Sequence, residues 1–134
     1  MAYWLFKEEP THYSFADLEK DGETVWEGIR NPLARQNLRK VARGDAIFFY
    51  HTGKERAVVG EMEAVSDPEP GAGDPKSVVV RVRATRRLPK PVTLERLKQE
   101  KSLANWELIR MSRLSVVPVT AQQWAAVQRL SREA

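Results

Sequence analysis

Three short segments of this chain set an aromatic ring beside polar and basic side chains. Trp4 and Phe6 adjoin Lys7 and Glu8; Trp26 stands four residues before Arg30 and Asn31; Trp106 stands four residues before Arg110, Met111, Ser112 and Arg113. The chemistry such groupings suit is recognition of a planar base. A base needs a flat apolar wall to stack on, a few polar groups at its edge, and cations outside for the phosphates. Each tryptophan also has an ordinary reading, because a large ring in a small domain is usually core. On pattern Trp4 and Trp124 read as core, whereas Trp26, in a polar setting with a glycine nearby, reads equally as core and as a loop residue facing a ligand.

Other chemistries find little support. The chain has no Gly-rich phosphate loop, no Gly-x-Ser-x-Gly and no His-Glu-x-x-His. Its two histidines, His12 and His51, lie far apart with no second ligand at short spacing, so no metal and no cofactor is expected. His51, at a strand end, reads as a hydrogen-bonding residue. The absence of cysteine excludes disulfides, cysteine-zinc sites and thiol nucleophiles, and suits a cytoplasmic protein. The longest apolar runs, Ala46 to Tyr50 and Val78 to Val80, are far short of a membrane-spanning helix. Lys7-Glu8-Glu9 interrupts the first ten residues too early for a secretory signal.

The 134 residues carry a formal net charge of +4, and the signs come in blocks. Residues 1–27 are acidic, 28–60 basic, 61–75 acidic and 76–134 basic. Arg30, Arg35, Arg39, Lys40 and Arg43, then Arg81, Arg83, Arg86, Arg87 and Lys90, form the clusters expected of a polyanion binder or of a solvated basic face.

Tyr3 to Lys7 reads as a buried strand. Ser14 with Asp17 marks a capping box, and Asn31-Pro32 a strong helix start, with Ala34, Leu38 and Val41 on one face and Gly44 as the stop. Asp45 to His51 and Ala57 to Ser66 form a hairpin through residues 52–56. Residues 67–75, rich in Pro and Gly, are expected to be a mobile loop unable to hold a ladder. Ser77 to Arg87 alternates, with Val78, Val80, Val82 and Ala84 on one face and Arg81 and Arg83 on the other. Thr93 caps a short helix, Ser112 to Val119 is expected to be a strand, and Thr120 with Gln123 starts a final helix carrying Trp124, Val127 and Leu130. The order predicts one α+β domain over residues 1–134, a mixed, mainly antiparallel β-barrel with peripheral helices.

The ordered set Tyr3-Trp4-Leu5-Phe6-Lys7-Glu8-Glu9-Pro10, Trp26-Glu27-Gly28-Ile29-Arg30-Asn31, Ala34-Arg35, Gly44-Asp45, Phe48-Phe49-Tyr50-His51, Val59-Gly60 and Arg113 to Val119 resembles the EVE domain family across almost the whole chain. The resemblance implies a PUA-like fold related to YTH readers of methylated adenine, with a pocket for a modified or flipped-out base of the 5-methylcytosine or 5-hydroxymethylcytosine type. Carried over, Trp26 walls the pocket, Lys7 and Glu8 line its polar edge, Arg30 and Asn31 follow the wall, and His51 and Thr52 end a strand facing it. Two departures stand out: Glu8 where the family often has Ser, and Pro32-Leu33 where a tyrosine and a glutamine are common. Glu8 suits an exocyclic amine and hence cytosine-type bases, or is a solvent-facing or Lys-paired carboxylate. No aromatic precedes Val78 as a second wall, so the cage is incomplete or Trp106 contributes.

Phosphate contacts are expected from Arg35, Arg39, Arg81, Arg83, Arg110 and Arg113. The reading is thus a non-catalytic domain binding DNA or RNA that carries a modified base, with no membrane partner and the oligomeric state open. The alternative is an ASCH-like amidohydrolase acting on a modified nucleoside, with Lys7, Glu8 and Thr52 as the proton-transfer group. A third reading is an accessory whose main partner is another protein.

Overall fold

The computed structural model describes residues 1–133. Seven strands form the sheet: β1 (Tyr3–Glu8), β2 (Glu23–Trp26), β3 (Ala46–His51), β4 (Ala57–Ala64), β5 (Glu69–Pro70), β6 (Val78–Thr93) and β7 (Val116–Val119). Five helices surround it: α1 (Phe15–Asp21), α2 (Pro32–Leu38), α3 (Leu94–Lys98), α4 (Glu107–Arg110) and α5 (Ala121–Ser131). A turn of 3-10 helix covers Lys101–Leu103. The strand order is β2-β6-β4-β3-β1-β7, with β5 also on β6; β1 and β3 run parallel and every other pair is antiparallel. No helix among the described residues is long and apolar enough to cross a membrane.

The sheet curls because its two long strands bulge. The ladder shifts register between Phe49 and Tyr50, between Val58 and Gly60, and between Glu61 and Met62, and each extra residue bends the strand. The result brings β2, at one end of the path, over β1 near the other: the Trp26 and Phe6 rings lie 5.3 Å apart. Strand alternation then sorts the side chains. Trp4, Phe6 and Glu8 leave β1 on the inner face, where Trp26, Phe49 and Phe15 of α1 meet edge to face. Tyr3, Leu5 and Lys7 leave on the other, where Trp124 of α5 stacks on Phe48 at 3.7 Å and on Tyr3 at 4.8 Å. Phe15 seats directly on the backbone of Gly60, where a Cβ would come within 2.4 Å of its ring.

The α+β barrel expectation holds, as do both capping boxes and the Asn31 cap, whose Oδ1 accepts from the Ala34 N–H at 2.9 Å. Trp4 and Trp124 are core. Five local expectations are corrected. The second helix stops at Leu38 rather than at Gly44. The cause is Asp45, a buried carboxylate that accepts from Ala42 N (2.9 Å), Ala2 N (3.0 Å) and Trp4 Nε1 (2.9 Å) and so draws residues 39–44 into a turn.

Residues 67–75 do hold a ladder. Glu69 and Pro70 pair with Val79 and Val78, and a proline is tolerated there because β5 is an edge. β6 runs on to Thr93, since Leu88 and Val92 are also buried. Residues 112–115 are a turn rather than strand, pinned to β1 by Lys7, whose backbone N–H donates to Ser115 O (2.9 Å) and whose Nζ donates to Ser112 O (3.0 Å). Finally, Glu23–Trp26 is a strand that four residues are too few to announce; it pairs Trp26 with Val80.

Candidate nucleic-acid interface

The stretch from Trp26, at the end of β2, to Leu33, at the start of α2, lines two depressions of opposite character at its two ends. The first, about 400 Å³, is lined by Glu8, His12, Tyr13, Thr24, Val25, Trp26 and Glu27. β1 delivers Glu8, the turn after it His12 and Tyr13, β2 Thr24, Val25 and Trp26, and the residue after β2 Glu27. Its floor is Trp26, only 4% exposed because Phe6 and Phe49 already pack on its ring. Trp26 is therefore core and lining at once. The half-buried Tyr13 supplies a second aromatic; its hydroxyl donates to Asp21 Oδ2 at 2.8 Å, and burial together with that carboxylate holds the phenol above its usual range. Glu8 accepts from the Glu9 N–H at 2.9 Å and lies 3.2 Å from His12 Nδ1. Glu8 and Glu27 give this depression two carboxylates, and no Lys or Arg lines it.

The second depression, about 600 Å³, is lined by Asn31, Pro32, Leu33, Arg110, Met111, Ser112, Arg113 and Leu114. It holds two arginines and no carboxylate. Beneath it Lys7 props the Ser112 carbonyl and stands 5.6 Å from the Tyr50 ring. Burial lowers the Lys7 ammonium pKa and pushes the Tyr50 phenol up to about 12. A third hollow, about 570 Å³, lies between residues 27–30 and the β5–β6 loop. Arg35 clasps its two sides, donating Nε to Ile29 O (2.6 Å) and Nη2 to Asp74 (2.8 Å). No group of three or more potential metal ligands occurs among the described residues, nor any unpaired buried side-chain polar atom.

Of the pocket residues expected from sequence, Glu8 and Trp26 come together. Lys7 does not join them, since alternation sends it to the opposite face of β1 and under the second depression. Asn31 caps α2 and lines that second depression. Arg30 is exposed beside the third hollow. His51 is engaged elsewhere: Nε2 accepts from the Phe15 N–H (3.0 Å) and Nδ1 faces Glu55 (2.7 Å). Thr52 turns to Glu9 at 3.4 Å. Trp106 is corrected: it is fully buried, with its indole N–H on Pro118 O at 3.0 Å, and lines none of these three depressions.

The arginines divide as well. Arg35 is held by Asp74 and Ile29, and Arg83 by Glu63 at 2.8 Å. Arg39 donates to Lys76 O at 2.6 Å and Arg110, through Nε, to Asn105 O at 2.8 Å. Among the described residues Arg30, Arg39, Arg81, Arg110 and Arg113 have no carboxylate partner. Tyr13, Val25 and Glu27 were missed, although the aromatic five residues after Glu8 and the short Glu-Thr-Val-Trp run were visible signals.

Comparison with known proteins agrees with this fold. A protein of Agrobacterium tumefaciens, Atu2648, superposes with a TM-score of 0.93 at 37% identity, over 98% of this chain and 94% of that one. Human thymocyte nuclear protein 1 is 28% identical over 98% of this chain and 75% of its own length. The human THYN1 protein has been solved in complex with 5-methylcytosine-containing DNA, and superposes with a TM-score of 0.93 at 27% identity, covering 100% of this chain and 99% of that one. An ASCH protein of Zymomonas mobilis reaches a TM-score of 0.68 at 16% identity, over 96% of this chain and 95% of that one, a likeness of fold alone. The model of the EVE domain matches residues 2–130, nearly the full length, and the chain belongs to the EVE domain family.

Proposed function

We propose that this chain binds nucleic acid carrying a modified cytosine of the 5-methylcytosine type and reads that base in the cavity floored by Trp26. The observation that carries the reading is the composition of the lining: aromatic rings from Trp26 and Tyr13, carboxylates from Glu8 and Glu27, His12 beside Glu8, and no Lys or Arg. A carboxylate accepts from the exocyclic N4 amine of cytosine, which thymine and uracil lack. The half-buried Val25, with Thr24 beside it, offers an apolar contact to a 5-methyl group. A phosphate is repelled by the same carboxylates, so the cavity suits a base that has left its stack. That the human THYN1 structure holds 5-methylcytosine-containing DNA supports this reading.

The test follows tryptophan fluorescence as oligonucleotides bearing cytosine, 5-methylcytosine, 5-hydroxymethylcytosine or N6-methyladenine are added, as DNA and as RNA, at two salt concentrations. Selective quenching by a modified cytosine is the expected outcome. Binding indifferent to the base would leave only a basic surface. The amidohydrolase reading is addressed alongside by mass analysis of acylated and methylated nucleosides after incubation. Turnover that vanishes in Glu8→Gln would replace the reader with an enzyme.

A further inference from the structure

The cleft beyond the Trp26–Leu33 stretch shares no lining residue with the base cavity, and its chemistry is complementary to that of the cavity. Among the described residues three large hydrophobic side chains are exposed, Met1, Leu33 and Met111, and two of them, at 38% and 37%, line this one cleft. Arg110 and Arg113 line it too, neither paired with a carboxylate, and no acidic residue does. Arg110 is exposed and is braced through Nε on Asn105 O, which leaves its terminal nitrogens free as donors among the described residues. Lys7 fixes the turn that carries Met111 to Arg113 by holding Ser112 O and, through its backbone, Ser115 O. Apolar side chains between well-positioned arginines are what a nucleic-acid strand meets, with phosphates on the guanidinium groups and a base or sugar face on the Leu and Met.

Position agrees with that chemistry. Trp26 and Asn31 are five residues apart in the chain, so their Cα atoms are separated by at most about 17 Å even if fully extended. Phosphates follow one another at about 3.4 Å per strand along a duplex, so the cavity and the cleft fall within a few nucleotides of each other.

We propose that the cleft between Asn31–Leu33 and Arg110–Leu114 is a second nucleic-acid subsite, which seats the strand flanking the bound base: phosphates on Arg110 and Arg113, an apolar base or sugar face on Leu33 and Met111. The proposal rests on the reading of the Trp26 cavity as the base site.

The experiment compares two probes. One is a fluorescein-labelled single-stranded DNA of about 12 nucleotides with one central 5-methylcytosine, a length within the site sizes of single-strand binders. The other is free 5-methyl-2′-deoxycytidine, which has no flanking strand. The proteins are the parent, the double variant Arg110→Ala/Arg113→Ala, the single variant Arg113→Glu, and Met111→Ser, each checked for an unchanged melting temperature. The double variant is expected to bind the oligonucleotide about tenfold more weakly and to lose about 1.4 from the magnitude of the log–log salt slope, while its affinity for the nucleoside stays that of the parent. Met111→Ser is expected to weaken oligonucleotide binding with the salt slope unchanged, since it removes contact area and no charge.

Oligonucleotide affinity and salt slope equal to the parent's in both arginine variants would overturn the subsite while leaving the base cavity standing; the cleft would then belong to a different partner, such as a protein. Equal losses for oligonucleotide and nucleoside would also overturn it, because the arginines would then be shaping the base cavity. A parent that binds neither probe would overturn the cavity reading and the subsite together.

Discussion

The two depressions beside the Trp26 loop differ in every property that matters for a ligand. One is aromatic and acidic and is continuous with the core through Phe6 and Phe49; the other is apolar and cationic and sits on a turn held from below by a single lysine. A phosphate is unwelcome in the first and a carboxylate absent from the second. The difference teaches that a base and its backbone need opposite electrostatics, and that the eight residues 26–33, from the end of β2 to the start of α2, contribute lining to both depressions. The contrast also divides mechanical roles. Altering the floor of the cavity is expected to disturb folding, because Trp26 is core, whereas altering the cleft's exposed arginines is expected to disturb only what touches them.

The largest effect expected is at that floor. Trp26→Ala should lower the unfolding free energy by about 3–5 kcal/mol, as for other buried large-to-small changes, read as a shift in the urea midpoint at constant slope. A loss below about 1 kcal/mol would make Trp26 a free wall and break the claim that the cavity is an extension of the core. Next in size, Glu8→Ala and Glu27→Ala should each remove part of the preference for cytosine over thymine, worth about 1–3 kcal/mol of discrimination for a good edge contact, with the salt dependence of binding unchanged. A salt slope that moved with either variant would blur the division between cavity and cleft.

Arg35→Met should cost about 1 kcal/mol, from the lost bond to the Ile29 carbonyl, and should speed amide exchange in residues 27–30, the stretch which that bond holds. Unaltered exchange there would mean that the loop is held by its own backbone.

The last effect concerns the Lys7–Tyr50 pair in alkali. Tyr50, whose folded pKa of about 12 lies above the usual 10.0, contributes stability that is complete below pH 10 and is lost as pH climbs toward 12. Lys7 has the opposite sign: its folded pKa lies below 10.5, so its contribution grows as pH rises to that value and then levels off. Stability should therefore fall mainly between about pH 10.5 and 12, and Tyr50→Phe should flatten that fall in denaturation curves taken across the window. A fall of the same size in the variant would assign it to Tyr13 or to general charge repulsion, not to Tyr50.

Local chemistry determined much of this protein. Caps at Ser14, Asn31, Thr93 and Thr120 fixed where four helices begin, because each needs only a side-chain oxygen and an N–H three residues on. The alternation of Val78, Val80 and Val82 with Arg81 and Arg83 fixed which face of β6 is buried, and the ordered motifs from Tyr3 to Val119 pointed to the family. The sequence also carried the two residues at the heart of the cavity, Glu8 and Trp26.

Tertiary structure decided the rest, wherever the deciding partner is distant along the chain. Adjacent residues Lys7 and Glu8 serve different depressions because a strand sends them to opposite faces, and only the curled sheet reveals which element lies over each. Arg35 and Arg83 read as free cations until Asp74 and Glu63 arrive from 39 and 20 residues away. Trp106 looks like a ligand wall until Pro118 accepts its indole proton, and the buried Asp45, unremarkable in sequence, ends α2 early by gathering three donors. Composition states which groups a chain owns; long-range contact decides which of them remain free to bind.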